Sequence, residues 1–433
     1  MPTSTDDEAV VLLQELLRLD TSNPPGKERP AQELVARRLR AAGYEVDLVE
    51  PDPERPNVVA RLRGERPGPV FGLLSHVDTV PADPRGWRHD PWSGARADGC
   101  VWGRGALDMK SQTAAEVVAA CSLAREGWRP ARGELVVISV ADEEVDGIGA
   151  ETVCAERPDL VRCDYLLNEG AGVSFSLDGE RLYDVSVAEK GVFRFTLFTD
   201  GVAGHASVPA SADNALLKLI PLLEALATAA PDFDLTPASR ALLAELESGA
   251  DGDPAVALER LRGRAPNFAP LVDAMMRVTL APTMVSASEA RNVIPDEARL
   301  HVDCRVPPGM DEPEVRARLR KVLPADGYRL EFTERIVGTG SPPESSLMDA
   351  LRSWVGRSDP GARVVPSMST GYTDSRTFRE AFPDCVAYGF FPQRHMGLGD
   401  VEALVHGRNE RIDVRDLALA VDCYRSVVVE LLG

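Results

Sequence analysis

The chain has 433 residues, 44% hydrophobic and 27% charged, a balance that supports two or three globular domains with well-buried cores. Its 48 basic and 68 acidic residues leave a net charge of −20, which repels a phosphate backbone and argues against nucleic acid as a partner. The first residues lack the basic segment and small-residue cleavage site of a signal peptide, and no apolar run reaches the ~18 residues that span a bilayer. The seven cysteines (Cys100, Cys121, Cys154, Cys163, Cys304, Cys385, Cys423) are odd in number and form no CxxC pair, so reduced thiols in a cytoplasmic protein are expected, with no membrane partner.

Helical spacing predicts a first helix over Asp6–Leu19, with acids in its first turn. Thr21-Ser22-Asn23-Pro24-Pro25-Gly26 is a breaker loop, and a second helix over Glu28–Ala42 stops at Gly43. Strands are expected at Tyr44–Glu50, Asn57–Leu62 and Val70–Ser75, the last running into His76. A helix over Lys110–Arg125 precedes two more apolar strands, one ending at Glu143-Glu144 and the other at Glu169. This alternation implies an α/β fold with a mostly parallel sheet, in which strand carboxyl ends gather ligand residues that are far apart in sequence. Near residue 190 the pattern changes to alternating strands such as Val192–Thr199 and Arg299–Val306, with helices over Asn214–Thr228 and Glu312–Leu323. This is an α+β insert, with Pro231–Asn267 as an added helical elaboration of unread purpose. The α/β pattern is expected to resume after about residue 325, with strands over Tyr328–Arg335 and Cys385–Gly389 and a closing helix over Val414–Leu432. The resulting division is a catalytic domain in two parts, 1–189 and 308–433, around an insert at 190–307.

Several segments carry residue types suited to metal chemistry. His76 and Asp78 lie two apart at a strand end and face one way, so Asp78 can orient the imidazole. Gly103-Arg104-Gly105-Ala106-Leu107-Asp108 offers a tight, rigid loop that sets Asp108 just before a helix. Asp142-Glu143-Glu144 crowds like charges that repel one another unless a cation offsets them. Glu169 ends the next strand, and His406 lies in the loop Val405–Glu410. Singly these read as a strand-end histidine, a helix cap, a solvated acidic turn and an exposed loop histidine. Together they supply the His, Asp and Glu donors that zinc and its neighbours favour. No GxSxG elbow points to a serine nucleophile.

In their order and spacing, HVDTVP, GRGALDMK, ADEE, NEG, GHAS, RNVIP, TDSR and HGRNE resemble the M20 family of metallopeptidases over about residues 6–433. The resemblance implies a di-metal catalytic domain with an inserted lid and dimerisation domain, cleaving an amide bond in a small N-acyl amino acid or peptide. It implies that Asp108 bridges two divalent ions, with zinc the default and cobalt or manganese open. His76 and Glu169 then complete one site, and Glu144 and His406 the other. Glu143 becomes the general base and Asp78 the orienter of His76. His205 in GHAS becomes an oxyanion-stabilising residue that can reach in from a partner subunit, so a homodimer through the insert is expected. Asn292, beside Arg291, together with Arg305 and Arg376 become substrate contacts. Two positions depart from the family pattern: Ser111 follows DMK, and Tyr372 stands where relatives carry glycine. The competing reading is a catalytically silent relative that only binds metal or an amino acid; such a relative is expected to lack the base or a ligand, and here every position is filled. His89, His301 and His395 are expected to be structural or surface residues.

Overall fold

The computed structural model describes residues 5–246 and 253–433; residues 1–4 and the stretch 247–252 of the expected helical elaboration lie outside the described residues. The chain divides into two compact units. One comprises the residues up to Val187 with Ser341–Ser367 and Thr373–Gly433, and the other Ala188–Gly340 with Met368–Tyr372.

The first unit is built on a nine-stranded sheet. In spatial order its strands are Glu45–Val49, Asn57–Arg63, Glu134–Val140, Val70–His76, Tyr165–Asn168, Val386–Gly389, Glu180–Glu189 and Arg363–Ser369, with Ser174–Leu177 pairing beside Glu180–Glu189. The expected parallel character holds at the centre, where Val70–His76 runs parallel to both Glu134–Val140 and Tyr165–Asn168, and Tyr165–Asn168 parallel to Val386–Gly389. The flanks are antiparallel. The central strands are apolar along their length because both faces are covered. Val59, Leu74, Val136, Ile138 and Leu166 pack there with Val153 and Phe378. The helix Lys110–Arg125 is buried on almost every side and packs against Thr5–Leu17 and Val414–Leu432. Its rigid seat matters because the loop before it carries Asp108. Three strands therefore end side by side at one edge of the parallel core, delivering His76, Asp142-Glu143-Glu144 and Glu169.

The second unit holds an antiparallel sheet in which Glu297–Val306 lies between Thr279–Ser286 and Phe195–Asp200, and Phe195–Asp200 pairs in turn with Arg329–Phe332. This corrects two expectations. The insert ends at Gly340 rather than 307, because Phe332 pairs with Phe195, and Val315 and Leu319 of the helix Glu312–Val322 share a core with Phe195 and Leu300. The segment Val192–Thr199 is no free edge, since its strand is paired on both sides. Among the described residues the edges are Arg329–Phe332 and Thr279–Ser286, the latter carrying Pro282 beside a register shift. The helix expected over Asn214–Thr228 forms as a 3₁₀ turn, Ala215–Leu219, followed by Ile220–Ala227, with Asn214 accepting a cap hydrogen bond from the Leu216 N–H at 3.0 Å. The elaboration at 231–267 forms the helices Pro237–Leu246 and Pro254–Arg264, and a further helix, Ala269–Met275, follows it. Lys190, fully buried, donates to the carbonyls of Ala274 (2.7 Å) and Arg277 (2.8 Å) and so fastens the end of the helix Ala269–Met275. No helix among the described residues is long and apolar enough to cross a membrane, and all seven cysteines are free thiols.

Candidate metal centre

The strand ends and two loops of the first unit bring His76, Asp78, Asp108, Glu143, Glu144, Glu169 and His406 into one cluster. Asp108 is at its middle. Its Oδ1 lies 3.2 Å from His76 Nε2, and its Oδ2 lies 3.0 Å from His406 Nε2. Glu169 Oε1 stands 3.6 Å from His76 Nε2, and Glu144 Oε2 stands 3.2 Å from His406 Nε2. Glu143 Oε2 is farther from His76 Nε2, at 3.9 Å.

Two overlapping trios, His76/Glu143/Glu169 and His76/Asp108/Glu144, each have donor atoms within 4.8 Å of one another. Donors about 2.0–2.2 Å from a tetrahedral zinc stand about 3.3–3.6 Å apart, so the spacing suits a cation of that size. The charges suit it as well. Burial raises the pKa of Glu143 well above the ordinary carboxylate range, and the neighbouring Glu169 adds to the effect. Burial and Asp108 push Glu169 up to about 7. Hydrogen bonds to Asp108 and Glu144 raise His406 to about 10. Burial opposes a charge on His76, yet Asp108, Asp78 and Glu169 outweigh it and raise that group too. The cluster thus holds more negative charge than its histidines offset, and Glu144 Oε1, buried, finds no hydrogen-bond partner among the described residues. Divalent cations are the kind of group that offsets such an excess.

Asp78 organises the base of the site. Its Oδ1 lies 3.4 Å from His76 Nδ1, while the Asp78 carbonyl lies 3.1 Å from the same nitrogen. Its two oxygens also accept the N–H groups of Glu143 and Glu144, each at 3.2 Å. Burial works against the charge, but His76, Asn23 and the Glu144 N–H hold the carboxyl below its ordinary value.

Sequence reasoning missed the residues around this frame. Asn23, in what read as a breaker loop, donates its Nδ2 to both Asp78 (2.9 Å) and Asp142 (2.8 Å). Arg55 lies between Glu28 and Asp142, 2.6 and 2.8 Å from their carboxylates. Asp142 itself takes φ +69°, a left-handed conformation that costs a non-glycine residue energy and is held here by those bonds. These contacts join residues up to 119 apart in the chain, and no local pattern announces them. Arg104 and Glu410 stood inside quoted motifs without a role.

The remaining expected contacts are distributed differently. His205 and Asn292 are brought together within the second unit, where Gly204–His205 pairs with Val293–Ile294 and the Ala206 N–H donates to the Asn292 carbonyl at 3.0 Å. His205 is exposed, its Nδ1 bonded to Ser207. Arg305 lies on Glu297–Val306 and pairs with Asp303 at 2.7 Å. Arg376 belongs to the first unit, at the start of Ser375–Ala381, 3.7 Å from Glu380. Its loop hangs on the strand that leads to Glu169, because Asn168 Nδ2 donates to Thr373 Oγ1 (3.2 Å) and Ser375 Oγ (3.1 Å). His89 packs edge-on against Trp102, and His301 bonds Thr196.

The chain is similar to known proteins along most of its length. The sequence model of Peptidase family M20/M25/M40 matches residues 72–430. The succinyl-diaminopimelate desuccinylase of Xanthomonas euvesicatoria pv. vesicatoria is 28% identical over 416 residues, 93% of each chain. The protein of the same name from Acidiphilium cryptum is 36% identical over 231 residues, 51% of this chain and 57% of that one. Among solved structures, the M20 family metallo-carboxypeptidase Sso-CP2 from Sulfolobus solfataricus shares the fold with a TM-score of 0.75 at 18% identity, over 98% of this chain and 99% of that one. Human carnosine dipeptidase 1 does so with a TM-score of 0.67 at 16% identity, over 99% and 96%.

Proposed function

Because the chain belongs to peptidase family M20/M25/M40, we propose that it hydrolyses an amide bond in a small N-acyl amino acid or short peptide at a two-metal centre. The observation that carries this reading is Asp108, whose two carboxylate oxygens face two different histidines. Asp108 would be the ligand shared by the two ions, with His76 and Glu169 completing one site and Glu144 and His406 the other. Zinc is the first candidate, with cobalt or manganese next, and two such ions when bound lower the pKa of a water and polarise the scissile carbonyl. Glu143, farther from His76 than Glu169 is, stays free to take the water's proton and return it to the leaving amine. A proton carrier needs an affinity near working pH, and burial beside Glu169 moves Glu143 in that direction. Asp78 fixes the ring of His76.

His205 is assigned to the developing oxyanion, a role in which one donor supplies about 3–4 kcal/mol. Asn292, Arg305 and Arg376 are assigned to the substrate, the arginines because a guanidinium fork suits a carboxylate. These four rest on likeness to the family motifs. The free thiols support a reducing, cytoplasmic setting. The catalytically silent alternative lacks the missing base or ligand on which it would rest.

The named relatives span a desuccinylase, a carboxypeptidase and a dipeptidase, which differ in the groups flanking the amide. A panel of N-succinyl and N-acetyl amino acids and dipeptides, offered to zinc-loaded protein, is expected to release free amine from at least one class. Chelation should abolish that release and added metal restore it. No release from any class, or release that persists once the metal is gone, removes the proposal.

A second copy of the chain is the proposed partner. The edge strand Thr279–Ser286 exposes Met284 and Val285, and the neighbouring segment exposes Leu216, Leu217, Ile220 and Leu223, an apolar surface beside a strand paired on one side only. If His205 serves the partner's site, chains carrying His205→Ala and chains carrying Glu143→Gln, each nearly inactive alone, regain one working site of two when refolded together. Heterodimers that form and stay inactive place His205 in its own chain's chemistry or outside it.

A further inference from the structure

We infer that Arg104 and Glu410 form a positioning clasp that sets the geometry of Asp108 and His406 together, so that this buried pair governs how tightly the site completed by His406 holds its ion. The inference rests on the two-metal reading above.

Glu410 is fully buried and Arg104 is 3% exposed. A buried ion pair is a weak device for stability, because desolvation offsets its attraction, so its placement calls for another explanation. The side-chain hydrogen bonds of the pair run between each other and the segments that carry Asp108 and His406. Glu410 Oε1 accepts the N–H of Leu107 at 2.7 Å and the N–H of Asp108 itself at 3.1 Å. Glu410 Oε2 accepts Arg104 Nη1 at 2.5 Å. Arg104 Nη2 then donates to the backbone carbonyl of His406 at 3.0 Å. The main chains are tied as well: the Gly103 N–H donates to the Glu410 carbonyl at 3.0 Å, and Arg411–Asp413 pairs antiparallel with Cys100–Trp102.

His406 needs such a hold. Its φ of +57° is left-handed, a conformation a histidine keeps only when its surroundings over-determine it. Its side chain is half exposed, so packing does not fix the ring. The Arg104 guanidinium, covered by the Trp87 ring at 5.4 Å, supplies a rigid donor on the carbonyl side. Two ligands some 300 residues apart in sequence are thereby set by one pair of side chains. Groups that orient metal ligands from behind typically change affinity by about 10–100-fold when removed.

The test is a titration of metal-stripped protein with Zn²⁺ against a chromophoric chelator, read as two binding steps. His406→Ala identifies the step that depends on His406. Arg104→Met and Glu410→Gln are expected to weaken that same step by about 10–100-fold. The double variant should be no worse than either single one, because the two side chains act as a unit. Arg104→Lys guards against a simple folding defect: it keeps a cation beside Glu410 but lacks the fork that reaches both Glu410 and His406, so it should fold and show the same one-step loss. Two wild-type steps that remain unchanged in folded Arg104→Lys and Glu410→Gln overturn the clasp alone. A wild-type protein with fewer than two steps overturns the two-metal reading, and the clasp with it.

Discussion

Glu143→Gln is expected to lower turnover by ~10²–10⁴-fold, the range for losing a general acid–base group, while the protein still takes up two ions. Glutamine matches glutamate in size, so the turn at 142–144 keeps its shape. Its anchors are the Glu143 and Glu144 N–H groups on Asp78, which the substitution leaves intact. What disappears is the ability to accept a proton from water and carry it to the amine. The metal count separates this role from its rival. Glu143 also lies in a trio of donor atoms with His76 and Glu169, a position from which it could serve as a ligand. A variant that loses both activity and one ion marks Glu143 as a ligand rather than the base. Near-normal turnover removes it from the chemistry altogether.

Asp108→Ala is expected to have at least as large an effect, by a different route. The substitution removes the two oxygens that face His76 and His406 at 3.2 and 3.0 Å. Each site is left with two protein donors, His76 with Glu169 and Glu144 with His406, where zinc takes three or four. The loop itself should persist, because its hold on Glu410 runs through backbone N–H groups that alanine retains. The folded variant is therefore expected to keep at most one ion at stoichiometric supply and to show no measurable hydrolysis. Two ions held with wild-type affinity exclude a bridging role.

The strands that end at His76, at Asp142–Glu144 and at Glu169 were legible because each is a short apolar run broken by acids or histidine, and a parallel core sets such ends side by side. His406 was accessible only through motif likeness, since a histidine in a loop carries no periodicity of its own. The supporting frame was not legible at all. Asn23, Arg55 and Asp142 meet through hydrogen bonds across most of the first unit's first half, and a loop that read as a chain breaker supplies the amide that joins Asp78 to Asp142. The misplaced boundary at 307 has a related cause. Alternation announces that Arg329–Phe332 is a strand with one buried face, but only its pairing with Phe195–Phe198 says which sheet it joins. The same ambiguity made Val192–Thr199 look like an edge, whereas the edges are Arg329–Phe332 and Thr279–Ser286, the second of which drew no strand reading from the sequence.

The two-metal claim is tested most directly by counting zinc in the wild-type protein. Metal-stripped chains titrated with Zn²⁺ under conditions of tight binding are expected to saturate at two ions each, with hydrolysis reaching its full rate only as the second ion enters. Saturation at one ion per chain, or hydrolysis that continues in chains shown to hold none, contradicts the account.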